Sequence, residues 1–141
     1  MEHGAAVFKD RAFVLTVSAD EDLVAAASAV AGRIGEVAGC ANDHAARLGQ
    51  AVGLVLNGLA AAARATGRPR QFEASFTCDG RLVRVDVSVS TADTPPSFSL
   101  EAVLADSGHA DSVAKLVDRV EFDKDEARHH CRLTRQIPQA R

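Results

Sequence analysis

The sequence predicts an α+β domain: a two-layer α/β sandwich whose mixed, mostly antiparallel sheet carries its helices on one face. Three observations predict it. A strand-like alternation opens the chain at Arg11 to Ser18, two long stretches of helical periodicity follow, and Asp79-Gly80 joins two alternating segments.

In Arg11 to Ser18, Phe13, Leu15 and Val17 point one way and Ala12, Val14 and Thr16 the other. Ser18 with Glu21 forms a capping-box pair, and Asp20, Glu21 and Asp22 suit a helix N-terminus. Leu23, Ala27, Val30, Ile34 and Val37 then recur at steps of three and four, which predicts an amphipathic helix ending near Gly39. Asn42 or Asp43 can cap a second helix with Leu48, Val52, Val55, Leu59 and Ala62 on its apolar face, stopped by Gly67 and Pro69. Small residues nearly all round predict that it is buried on more than one side.

Phe72 to Cys78 and Leu82 to Ser90 read as a hairpin around Asp79-Gly80. Thr91 to Ser97, with Pro95 and Pro96, reads as a loop. Phe98 to Leu104 fits either a short strand or a helical turn. Val113, Leu116, Val117 and Val120 suit a third helix, and Val120 to Phe122 with His129 to Thr134 suit two closing strands.

The 141 residues fit one domain, with a core over about residues 11 to 138. Apolar residues make up 47%, enough for an ordinary core. With no Trp or Tyr, a stacking platform for single-stranded nucleic acid is not expected. The net charge of −3 with no basic patch argues against binding a phosphate backbone. Cys40, Cys78 and Cys131 have no CxxC spacing and read as reduced thiols, so a cytoplasmic location is expected. Met1 to Ala6 does not look like a signal peptide. The apolar run Leu48 to Ala63 is short for a membrane span and reads as a buried helix. His129, His130 and Cys131 lack zinc-finger spacing, and no metal site is expected.

Three passages carry a resemblance to a known family. They are "FVLTVSADEDLVAAASAVAGRIGEVAG", "HAARLGQAVGLVLNGLAAAARATG" and "VAKLVDRVEFDKDEARHHCRLTRQIP". They resemble the opening strand and helix, the N-box helix, and the last helix and closing hairpin of the anti-sigma-factor serine kinases. Those kinases belong to the GHKL (histidine-kinase-like) ATPase superfamily. The resemblance implies a single histidine-kinase-like domain over the whole chain.

The resemblance also implies where a nucleotide would lie. Asn57 matches the N-box asparagine, whose oxygen binds Mg²⁺ in the family. Gly53 stands where the family has its general-base glutamate. Asp93 matches the adenine-reading aspartate, but Pro95 and Pro96 follow it in place of glycines. Gly108 is what remains of the phosphate-holding lid, followed by His109. Asn57, Asp93 and Gly108 are thus the candidate cofactor-binding residues, and no catalytic residue is assigned. Phosphoryl transfer depends on positioning and electrostatics that these replacements remove, so weak or absent Mg-ATP binding and negligible kinase activity are expected.

Asn57 reads either as a remnant Mg²⁺ ligand or as a buried amide with structural hydrogen bonds. The glycines around it read either as helix–sheet contact or as a nucleotide cleft filled by protein. The resemblance implies a regulatory protein that binds a sigma factor, or its STAS-type antagonist, or both, and that forms a homodimer. A working serine kinase and a non-catalytic dimerisation or sensor module are the alternatives.

Overall fold

A computed structural model describes residues 11–137 of the chain, and the side chains from residue 13 onward. Among these residues there are five strands and four α-helices. They are β1 (Arg11–Ser18), α1 (Glu21–Ala38), α2 (Asn42–Thr66), β2 (Gln71–Cys78), β3 (Leu82–Ser90), α3 (Leu100–Ser107), α4 (Ala110–Leu116), β4 (Arg119–Lys124) and β5 (Arg128–Gln136). The sheet order is β1-β2-β3-β5-β4. Every described pairing is antiparallel, so the expectation of a mixed sheet is corrected.

Strict alternation gives the sheet two unlike faces. Phe72, Ala74, Phe76, Val83, Val85, Val87, Cys131 and Leu133 are fully buried on one of them. The register places these residues opposite one another, as in Phe76 with Val85 and Val87 with Cys131. Leu48, Val52, Val55, Leu56 and Leu59 of α2 are equally buried and share that core. Each such side chain contributes about 1.5–3 kcal/mol of burial. The opposite face carries Glu73, Arg84, Asp86, Ser88, Arg128, His130 and Arg132. The helices therefore occupy one side only, and the two-layer α/β sandwich stands.

α2 is long and apolar enough to cross a membrane by length and composition, and it lies mostly buried inside this domain. Gly49 and Gly53 serve contact with α1, and Gly58 faces α3, rather than the sheet. The Ser28 hydroxyl donates to the Gly49 carbonyl at 2.7 Å. A Cβ on Gly49 would sit 2.9 Å from the Ser28 carbonyl oxygen, and one on Gly53 would sit 2.8 Å from Ser28 Oγ. Only residues without a side chain let the two helices approach this closely.

Several local expectations change. The N-cap of α1 is Asp20, whose carboxylate accepts from the N–H groups of Asp22 and Leu23, and not Ser18. The residue capping α2 is Ala41, without a side-chain bond, so neither Asn42 nor Asp43 caps it. The buried face of α1 is Val24, Ala27, Ala31, Gly35 and Ala38. Leu23 and Val37 instead face solvent, because the close approach to α2 selects small side chains over large ones. The ambiguous Phe98 to Leu104 segment contains the start of α3, capped by the Ser99 hydroxyl accepting from the Ala102 N–H. The predicted third helix ends at Leu116, and Val120 belongs to β4.

The glycines of α2 yield a paired prediction. Gly49→Ala forces a methyl group against backbone and should lower stability by about 1–3 kcal/mol. Gly58→Ala meets only ordinary contacts, the nearest being Ser107 Oγ at 3.5 Å. It should be neutral or stabilise by up to about 1 kcal/mol through helix propensity. Urea unfolding of both variants checks the contrast.

Candidate functional site

The three residues expected to meet a nucleotide are not assembled into one site. Asn57 is exposed on α2, which removes the reading of a buried structural amide. Gly53, one turn earlier, faces Ser28 of α1 and is buried there. Asp93 lies in the short 3₁₀ turn Thr91–Asp93 after β3. Its carboxylate accepts the Arg70 backbone N–H at 2.7 Å, tying this turn to the loop after α2. Gly108 ends α3 in the left-handed conformation, with φ of 79°. Its N–H donates to the Ala105 carbonyl, and the next N–H, of His109, to that of Leu104. That is helix-cap geometry, in which these N–H groups satisfy the last carbonyls of α3. His109 Nδ1 lies 3.3 Å from the Leu54 carbonyl oxygen of α2.

Asp93 borders a cavity of about 280 Å³ with Thr16, Gln71, Phe72, Glu73, Ser90 and Arg128. Neither Asn57 nor Gly108 lines it. A second cavity, of about 360 Å³, lies between the start of α3 and the β4–β5 hairpin. Phe98, Phe122 and His129 supply rings to its wall, and the Phe98 and His129 rings meet edge to face at 4.9 Å. His129 is 5% exposed. Burial, together with the charges of Lys124 and His130, holds its pKa below the ordinary 6.5. As expected, His129 and Cys131 share a face of β5, and both are buried. Burial pushes the Cys131 thiol up to about 12, which favours the protonated form near neutral pH.

The organised polar chemistry sits on the helix-free face of the sheet. Period-two alternation in β3 places Asp86 and Ser88 there, and in β5 it places Arg128, His130 and Arg132. His130 Nδ1 is 3.0 Å from Asp86 Oδ2, and its Nε2 is 3.0 Å from Asp125 Oδ2 in the β4–β5 turn. Arg132 Nη1 reaches Asp123 Oδ2 at 3.2 Å, and its Nε lies 3.7 Å from Asp86 Oδ2. Arg128 Nε donates to Ser88 Oγ at 2.8 Å, and its Nη2 lies 3.8 Å from Glu73 Oε1.

This network fixes charges across four strands. His130, followed by the backbone N–H groups of Arg128 and Ala127, holds the Asp125 carboxyl down at about 2. The Lys124 backbone N–H, then Arg132, lowers that of Asp123. Such pairs orient side chains more than they stabilise the fold, since most are partly exposed. Among the described residues, no group of three or more His, Cys, Asp or Glu is placed to hold a metal ion. What the face offers is a rigid array of both charge signs. The sequence reading did not identify it. The alternation of Arg84, Asp86 and Ser88 against Arg128, His130 and Arg132 was the available signal, but it needs the β3–β5 register to be read.

No known protein family's profile matches this chain. A search of curated proteins also finds no match.

The titrating groups predict a sign for pH dependence. Folded His129 binds protons less readily than the unfolded chain does. Its contribution to stability is therefore complete above the unfolded value of 6.5 and drains as pH falls below it. The limiting slope for one such group is about 1.4 kcal/mol per pH unit. The depressed Asp125 carboxyl adds loss only further down, as pH falls from its ordinary 3.8 through about 2. Urea midpoints between about pH 7 and pH 5 should fall for the natural chain and flatten in His129→Gln.

Proposed function

We propose that this chain is a regulatory protein-binding domain of the anti-sigma-factor kind, which holds its partner without nucleotide chemistry. Its partner is a sigma factor, an antagonist of the STAS type, or both in competition. The observation that carries the reading is the position of Gly53. The site where the resembled kinases place their general base is closed by Ser28, whose Oγ lies 2.8 Å from where a Cβ would stand. The two other sets of nucleotide groups are spent on structure in the same way. Asp93 binds the Arg70 N–H, and Gly108 caps α3. A triphosphate needs free donors and a free carboxylate in one place, and phosphoryl transfer needs them prealigned.

For a protein partner, the helix-free face is the favoured platform. It is uncovered by the described helices and carries Glu73, Arg128, Arg132 and the Asp86–His130–Asp125 bridge. Preset charges of both signs favour specificity and fast encounter with a complementary surface. Control then follows from competition between partners, by mass action.

Calorimetry with Mg-ATP should give no heat of binding at about 1 mM nucleotide, and micromolar affinity would overturn the reading. Gly53→Glu should not restore binding. It should destabilise the fold by about 3 kcal/mol or more, by forcing a carboxylate into the α1–α2 contact. Tagged protein recovered from its native cytosol should retain a sigma factor or a small antagonist. Arg132→Glu should lose that partner while keeping its melting temperature within a few degrees.

A further inference from the structure

We propose that the cavity between the start of α3 and the β4–β5 hairpin is a binding site for a free aromatic α-amino acid. The ligand ring lies among Phe98, Phe122 and His129, its carboxylate toward Lys124 and its ammonium toward Glu101. The inference does not depend on the function proposed above. None of Asn57, Asp93 and Gly108 lines this cavity.

Strand register builds one wall. Phe122 pairs with Cys131 and Lys124 with His129, and directly opposed residues share a face of the sheet. Cys131 is buried in the core, so Phe122, Lys124 and His129 all stand on the helix side. The opposite wall is the first turn of α3, with Ser99, Leu100 and Glu101. Asp123 and His130 also border the cavity, but their side chains turn to the other face of the sheet. Asp123 Oδ2 lies 3.2 Å from Arg132 Nη1, and His130 lies between Asp86 and Asp125. Lys124 and Glu101 are therefore the two charges left to the cavity.

The apolar part suits a flat ring. The volume of about 360 Å³ lies near the lower end of ligand pockets, which span roughly 300–1,000 Å³. The edge-to-face contact of Phe98 with His129 presents further ring surface on which an aromatic ligand can pack. The lowered pKa of His129 keeps it uncharged near neutral pH, so it acts as wall rather than as cation. Phe122 remains 36% exposed although its strand partner Cys131 is fully buried, and a ring laid in the cavity covers it.

The polar part is unspent. Among the described residues neither Lys124 nor Glu101 forms an ion pair. By contrast, Arg119, Arg128 and Arg132 of the same hairpin each reach a carboxylate. The Ser99 hydroxyl and carbonyl accept the Ala102 and Val103 N–H groups. The N–H groups of Leu100 and Glu101 have no acceptor among the described residues, and such donors at a helix start favour a carboxylate. A cation, an anion and spare N–H groups around one ring-lined space complement a zwitterion. An aromatic acid leaves Glu101 unanswered, and an aromatic amine leaves Lys124 unanswered. The end of a peptide carries only one of the two charges beside its ring. A free amino acid presents both on one carbon.

Calorimetry of the full chain with L-phenylalanine tests this. Phenylpropionate, phenethylamine and L-leucine serve for comparison, lacking the ammonium, the carboxylate and the ring in turn. L-Phenylalanine should bind with a Kd below about 1 mM, and each comparison ligand at least about tenfold more weakly. Lys124→Gln should weaken L-phenylalanine about tenfold without weakening phenethylamine, and Glu101→Gln should do so without weakening phenylpropionate. A merely structural disturbance would weaken every ligand together. Both side chains are exposed, so the circular-dichroism melts should stay in place. A Kd above about 1 mM for L-phenylalanine overturns the proposal. So does equal affinity for any comparison ligand, or a Kd that both substitutions leave unmoved.

Discussion

The close contact of α1 with α2 sets the geometry on which the rest of the domain depends. Ser28 anchors it through the Gly49 carbonyl, and Gly35, Gly49 and Gly53 remove the side chains that would push the helices apart. Interiors are packed too tightly for a methyl group to be added without response. This one seam fixes the rotation of α1 about its axis. That rotation determines which α1 residues enter the core and which are left outside. It also places Ser28 in the space where a longer residue 53 would have to lie. The closure of that position and the apolar outer flank of α1 thus have one common cause.

On the other side of the sheet the constraint is register. β5 lies between β3 and β4, so its outward residues meet partners on both sides. Arg132 stands opposite Asp86 and opposite Glu121, while His130 stands opposite Ser88 and opposite Asp123. A slip of one residue would exchange the buried row Cys131 and Leu133 for the charged row and lose both faces together. The core and the polar array therefore support the same pairing, as expected of a minimally frustrated sheet.

Most strands and the two long helices were legible because hydrophobic periodicity reports them directly. The face of α1 was not. Ala, Gly and Ser are nearly neutral in hydropathy, so a stripe such as Ala27, Ala31 and Gly35 is quieter than Leu23 and Val37, although packing geometry prefers it. α3 was ambiguous because Phe98, Leu100 and Leu104 satisfy both periods over so short a span. The reading of Asn57 as a buried amide failed because its exposure depends on where α3 and α4 dock, which is a non-local fact. The charged face was unread for the same reason: Asp86 and His130 become neighbours only through pairing of distant strands.

The placement of the three cysteines has a practical side. Cys40, Cys78 and Cys131 are all free and all buried. Burial raises the Cys40 and Cys131 thiols, which keeps them protonated and slow toward oxidants and alkylating reagents. A single cysteine introduced on the surface would therefore be the fast-reacting thiol of the folded protein. A fluorophore or spin label attached there would report on one chosen spot, with the native residues left in place.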